Sequence, residues 1–341
     1  MIQGNPMVIV DEDRCEKVVG ILSRIEIPAP DEDDQLSRVN PQDLPNFYFA
    51  IVAICHQTSP VGGVQLHGRL ADGREKFGWD YLRLRWADRV AADPTLNTPR
   101  VWERLSSQDL QSLLADETEM VSLTDAEGRA LLLRDMGEHF RAAGLQRASD
   151  LLIASKGRLE SLSPPGLYDL LSRMQAYRDP VRKKSSFFLD LMRTQCGWRY
   201  LDATNLGAPI DYHEVRGHLR VGTVVIQDAA LLDVVRRGVE TTAEQDLAIR
   251  MAVHRAIQYI SRALGKIDAP TLHYLFWNLF RRCCGRTNQH CDTCGPTCGL
   301  PARYRDAFAP IEQDACVLNG VCASAGAANK LIEHVYSTDY F

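Results

Sequence analysis

Apolar residues recur at helical spacing along most of the chain. PNFYFAIVAICHQ (45–57), SQDLQSLLADE (107–117), AEGRALLLRDMGEHFRAAG (126–144), PPGLYDLLSRMQAY (164–177), SSFFLDLMRTQCG (185–197), AEQDLAIRMAVHRAIQYISRALG (243–265) and APTLHYLFWNLFRR (269–282) each carry them three and four positions apart. Start and stop signals frame several of these segments. Thr124, three residues before Glu127, reads as a capping box, and Thr242 directly precedes AEQD. Gly144 and Gly265 stand where helices should stop, because glycine enters the left-handed conformation without a Cβ clash. Two-residue alternation is scarce, and VGTVVI (221–226) is its best case. The pattern predicts a mostly α-helical fold. IPAPDEDDQ (27–35), GRLADGREKFG (68–78) and SLSPPG (161–166) read as loops.

A length of 341 residues predicts two domains, or one large one with ample core. With 45% hydrophobic and 24% charged residues the composition is that of a globular protein, and no apolar run approaches a membrane span. MIQGNPMVIVDED lacks a basic region followed by an apolar core, and neither end carries a lipidation motif. A cytosolic protein is expected, without membrane attachment and as a monomer. The net charge of −5 argues against a nucleic-acid partner only as a sum. Residues 11–43 hold ten acids and four bases, residues 178–220 eight bases and five acids, and residues 281–305 five arginines and one acid. The two later segments can face phosphates.

Seven of the ten cysteines lie after residue 280. In a long chain without a secretion signal such crowding points to metal rather than disulfides. Cys284, Cys291, Cys294 and Cys298 read C-x6-C-x2-C-x3-C, and four thiolates can hold a tetrahedral zinc or a [4Fe–4S] cluster. Spacing alone leaves zinc and iron–sulfur open. Cys283 can replace Cys284, and Cys316 or Cys322 can supply a fourth ligand. The bland reading of this stretch is a cysteine-rich loop with no ligand.

LHYLFWNLFRRCCGRTNQHCDTCGPTC resembles the end of endonuclease III and the adenine glycosylases in the helix-hairpin-helix superfamily, where a final helix runs into C-x6-C-x2-C-x5-C around [4Fe–4S]. This chain shortens the last gap to three. The resemblance implies a [4Fe–4S] cluster on Cys284, Cys291, Cys294 and Cys298, with zinc as the alternative, and a loop whose Arg281, Arg282 and Arg286 meet a phosphate backbone. GAPIDYHEVRGHLR (207–220) is similar to the segment carrying the catalytic aspartate in those glycosylases, which makes Asp211 the catalytic carboxylate. As an Asp at a helix start it also has an ordinary capping role. VRKKSSFFLDLM (181–192) resembles the lysine helix of archaeal 8-oxoguanine glycosylases. Lys184 takes the lysine's place, with Lys183 as alternative or DNA contact; otherwise the pair is a solvated basic patch. The hairpin L-P-G-V-G-x-K is absent. FYFAIVAICHQTSPVGG (47–63) resembles the first long helix of the superfamily, and Gln57 would fill the gap left by an extruded base.

His56, His213 and His218 receive no role, since single histidines in helices are more often surface or core residues. Trp79, Tyr81 and Trp86 can stack on a base, and core packing is expected for at least two of them. The resemblance, from about residue 45 to 300, implies a two-lobed helix-hairpin-helix glycosylase. Residues 1–50 and 207–341 would form one lobe, residues 51–206 a helical-barrel lobe, with the active site in the cleft. The expected reaction is excision of a modified base from double-stranded DNA, in repair or in defence against modified phage DNA. KKSSFFLDL, APIDYHEVRGHLRVGTV and EQDLAIRMAVHRAI also resemble queuosine nucleotide N-glycosylases, which act on a free nucleotide. A DNA-binding protein without catalysis, its cluster structural, is the third class.

Overall fold

In chain order the elements are β1 (Val8–Val10), α1 (Glu12–Leu22), α2 (Leu44–Ala53), β2 (His67–Arg69), β3 (Glu75–Phe77), α3 (Gly78–Ala92), α4 (Pro99–Trp102), α5 (Ser107–Leu114), α6 (Ala126–Ala143), α7 (Ser149–Ala154), α8 (Leu167–Leu171) and α9 (Lys183–Gln195). The second half continues with α10 (Tyr212–Val221), β4 (Val224–Ile226), α11 (Ala229–Arg237), α12 (Ala243–Leu264), α13 (Ala269–Arg282) and α14 (Ala302–Ala307). This computed structural model describes residues 6–28, 36–292, 299–309, 311 and 315–341. The fold is mostly helical, as the periodicity predicts. Among the described residues no helix is long and apolar enough to cross a membrane.

The chain divides into two compact units. One comprises Met1–Pro30 with Gly207–Ser337, the other Asp31–Leu206 with Thr338–Phe341. Residues 36–50 therefore lie with 51–206, and the last four residues join them. The reason is α2: every residue from Asn46 to Ala53 is buried, so the helix is the centre of the second unit rather than its edge. Phe49 of α2 stacks on Tyr177 at 5.1 Å and meets Phe188 edge-on at 5.2 Å. The Tyr177 hydroxyl donates to the Phe49 carbonyl at 2.7 Å, so this aromatic core carries its polar atom satisfied.

In the first unit β1 pairs antiparallel with β4, Val8 opposite Ile226 and Val10 opposite Val224. The long α12 packs on α1, α10, α13 and both strands. The segment after Lys330 is pinned across it: Val335 bridges Glu240, and His334 Nε2 meets Asp246 Oδ1 at 2.8 Å. Helices α10 and α13 approach closely at Gly217, where a Cβ would enter the Phe280 ring. Phe280 in turn stacks on Phe276, and both rings meet His218 edge-on.

Several local expectations change in the structure. The helix expected over 45–57 ends at Ala53, and 164–177 contains only α8 and a 3₁₀ turn at Gln175–Tyr177. Asp125, not Thr124, caps α6, accepting the Gly128 N–H at 3.1 Å from a left-handed backbone. Thr242 caps α12 through a capping box with Gln245, and Gly144 and Gly265 close α6 and α12 in the left-handed conformation. The 68–78 loop is the β2–β3 hairpin running into α3. Buried Arg83 and Arg85 break the apolar rhythm of α3, which is why periodicity passes over it.

Substituting Gly217→Ala should cost about 1–3 kcal/mol, because the added methyl must displace a buried ring. A lowered urea midpoint with unchanged slope checks this.

Candidate functional site

Asp211 ends the extended GAPI segment with φ −117° and ψ −178° and caps α10. Its Oδ1 accepts the backbone N–H groups of His213 at 2.7 Å and Glu214 at 3.3 Å. Its Oδ2 accepts the indole N–H of Trp277 at 3.0 Å. Glu214 returns the cap by accepting the Asp211 N–H at 3.1 Å, and its other oxygen pairs with His273 Nδ1 at 2.6 Å in a buried contact. The carboxylate is thus half-buried and fixed at the positive end of the helix dipole by backbone and side-chain donors. Arg281 lies over the Trp277 ring at 4.5 Å and so faces the indole that holds Asp211.

His213 accepts from Arg216 at 2.7 Å. Burial, then the guanidinium groups of Arg216, Arg281 and Arg286, hold its imidazole well below the ordinary range, so it is neutral. His218 is core: burial pushes it down to about 3, and its Nδ1 meets Thr223 Oγ1 at 2.7 Å.

One helical turn apart on α10, Arg216 and Arg220 reach the cysteine loop. Arg216 donates to the Cys284 carbonyl at 2.8 Å and forms a buried pair with Glu333 at 2.7 Å. Arg220 donates to the Cys284 carbonyl at 3.0 Å, to its Sγ at 3.2 Å and to the Gly285 carbonyl at 2.8 Å. Arg286 pairs with Glu333 and lies over the Tyr212 ring at 5.2 Å, while Arg282 is exposed.

Cys294 and Cys298 lie outside the described residues. Cys291 Sγ accepts from Lys330 Nζ at 3.1 Å, and its carbonyl accepts the Cys316 N–H at 2.9 Å. The Cys322 thiol donates to the Arg220 carbonyl at 3.3 Å. Burial pushes the Cys316 thiol up to about 12, with the charges of Cys284, Cys291 and Cys322 adding to it. The Cys322 thiol is raised likewise by burial and by Cys284 and Cys291. Cys283 is the buried C-cap of α13. Among the described residues no three of His, Cys, Asp and Glu are grouped so as to hold a metal ion.

The lysines occupy the second unit, in which neither forms a solvated patch: Lys184 is fully buried and Lys183 nearly so. Lys184 Nζ donates to the Ala53 carbonyl and meets His56 Nδ1 at 3.2 Å. Arg129 donates to the carbonyls of Ile54 and, at 2.7 Å, His56. Two cations therefore close the carbonyl end of α2, where free acceptors and the negative dipole end concentrate. Burial, against a partial offset from Cys55, lowers the Lys184 ammonium to about 7. His56 is held well below its ordinary range by burial, then by Lys184 and Arg129. Lys183 Nζ donates to Cys55 Sγ at 3.3 Å and lies over Phe187.

Gln57 stands in the same turn with φ 48°, and its N–H donates to the Phe341 carbonyl at 3.1 Å. Tyr81 and Trp86 are core, and half-buried Trp79 packs edge-on to Phe187 at 4.9 Å. Sequence reasoning passed over Trp277, Glu214, Arg220, Lys330 and Glu333. Trp277 carried a local signal, since it precedes Arg281 by one turn on the same helix. Glu214 carried another, the D-x-x-E spacing of a capping box.

The lysine has a measurable signature. The unfolded group titrates near ~10.5 and the folded one at about 7, so between these values the unfolded chain binds more protons. Stability contributed through Lys184 therefore rises with pH across this window, and its cost is complete below pH ~7. Urea midpoints of Lys184→Met should lack that rise, and the stability of the variant relative to the native chain should fall as pH approaches ~10. No protein-family model matches the chain, and no curated protein matches it.

Proposed function

We propose that the protein is a DNA N-glycosylase that breaks the bond between a modified base and deoxyribose in duplex DNA, with Asp211 as its catalytic carboxylate. The observation that carries this reading is the fixation of Asp211 by the His213 and Glu214 N–H groups and the Trp277 indole. Cleavage of an N-glycosidic bond builds positive charge on the sugar. A carboxylate already oriented by its donors stabilises that charge without reorganising. Water adds to C1′, its proton passes to the departing base, and an abasic sugar remains. The target nucleotide must first leave the base stack.

A Schiff-base step would use Lys184, whose buried amine must first be uncovered. Its lowered ammonium leaves a large neutral fraction at neutral pH. A neutral amine can attack C1′ in place of water, the base leaving with the bonding electron pair, and the product opens to a Schiff base. Arg281, Arg282 and Arg286 are the proposed phosphate contacts, Lys183 joining them only once its buried ammonium is uncovered, and Gln57 is the residue that fills the vacated base position. A [4Fe–4S] cluster on the cysteines after α13 would cross-link the loop, without reacting at the sugar. Repair and defence against modified phage DNA are both consistent with this chemistry.

The test is incubation with modified duplexes and phage genomes, followed by assay of free base and abasic sites. Asp211→Asn should lower base release by about 10²-fold or more while the circular dichroism stays unchanged. Borohydride should trap a DNA adduct with the native chain but not with Lys184→Gln, and the yield should rise through pH ~7 as the amine loses its proton. Cleavage of free nucleotides without salt-sensitive duplex binding would transfer the activity to a nucleotide N-glycosylase. Duplex binding with no base release, unaltered by Asp211→Asn, would sink the enzyme reading.

A further inference from the structure

Four described cysteines of the C-terminal region form two sequence pairs. Six residues separate Cys284 from Cys291, and five separate Cys316 from Cys322. Twenty-four residues, 292–315, lie between the pairs and include Cys294 and Cys298. Tertiary contacts join the pairs directly. The Cys316 N–H donates to the Cys291 carbonyl at 2.9 Å. Arg220 touches both pairs at once: its guanidinium donates to Cys284 Sγ at 3.2 Å and its carbonyl accepts from the Cys322 thiol at 3.3 Å. Lys330 Nζ donates to Cys291 Sγ at 3.1 Å.

We propose that Cys284, Cys291, Cys316 and Cys322 are the four ligands of an iron–sulfur cluster of the [4Fe–4S] type, in the order C-x6-C-x24-C-x5-C, and that Cys294 and Cys298 belong to an insertion between the second and third ligands. The assignment rests on the proposed cluster but is independent of base excision.

Two features fit the donor set to such a group. All four donors are thiols, the ligand type that selects iron–sulfur centres and zinc over harder ions. Each thiol gives up its proton on ligation, so the set becomes strongly negative. Arg220 and Lys330, already at hydrogen-bond distance from two of the sulfurs, supply positive charge against it.

The full chain, purified without oxygen, tests this through iron, acid-labile sulfide and zinc content and through the visible absorbance of iron–thiolate charge transfer. The double variant Cys294→Ser/Cys298→Ser should keep the native iron and sulfide content. Cys316→Ser and Cys322→Ser should each lose most of both. Should either serine variant fail to fold, the native holoprotein still decides: alkylation followed by peptide mass analysis should label Cys294 and Cys298 and spare the other four until a chelator is added. Iron loss in the double variant, protection of Cys294 and Cys298, one zinc per chain, or a native chain without iron would each overturn the assignment. None of these measurements depends on whether DNA is cleaved.

Discussion

The packing of α10 against α13 sets the register of the first unit. Three contacts are spaced along ~14 Å of one helix. At its start Trp277 reaches back to Asp211. In its middle Gly217 gives room to Phe280. Near its end Arg216 and Arg220 hold the backbone and sulfur of Cys284. A slip of one residue would turn the helix by ~100° and break all three together. The Arg216–Glu333 pair adds to this constraint, because removing either member would leave a buried charge without its partner. Carboxylate and cysteine loop are thereby tied through a single rigid element.

In the second unit the corresponding constraint is the end of α2. The helix stops at Ala53, and the carbonyls of Ala53, Ile54 and His56 turn toward two cations. Unpartnered cations in such a place would be costly, and unpartnered carbonyls nearly as much. Each satisfies the other. The same burial that makes Lys184 a good helix cap also removes much of its proton affinity. The capping role of the lysine and its lowered proton affinity therefore have one physical origin.

The cysteine region brings together residues that stand far apart in the chain. Cys294 and Cys298 fall close behind Cys291, which draws them into a motif. The chain, however, brings Cys316 and Cys322 back to Cys284 and Cys291 through Arg220 and the Cys316–Cys291 backbone bond. Under the proposed assignment, the shortened gap that sets this loop apart from the family it resembles would lie between the second and third ligands and put no constraint on them.

Sequence by itself determined the helical class, the positions of seven of the fourteen α-helices among the described residues and the caps at Thr242, Gly144 and Gly265, because these follow from period and from short-range backbone chemistry. It also singled out Asp211, whose capping role is local. It missed β1, α1, α11 and the short helices α4, α7 and α14, and it missed α3 and the early end of α2, where buried arginines and long-range carbonyl partners override propensity. Only tertiary structure buried Lys184, paired Trp277 with Asp211 across 66 positions, and carried Cys316 to Cys291. Those contacts join residues far apart in the chain, and spacing along a sequence holds no record of which distant side chain will arrive to satisfy a buried polar group.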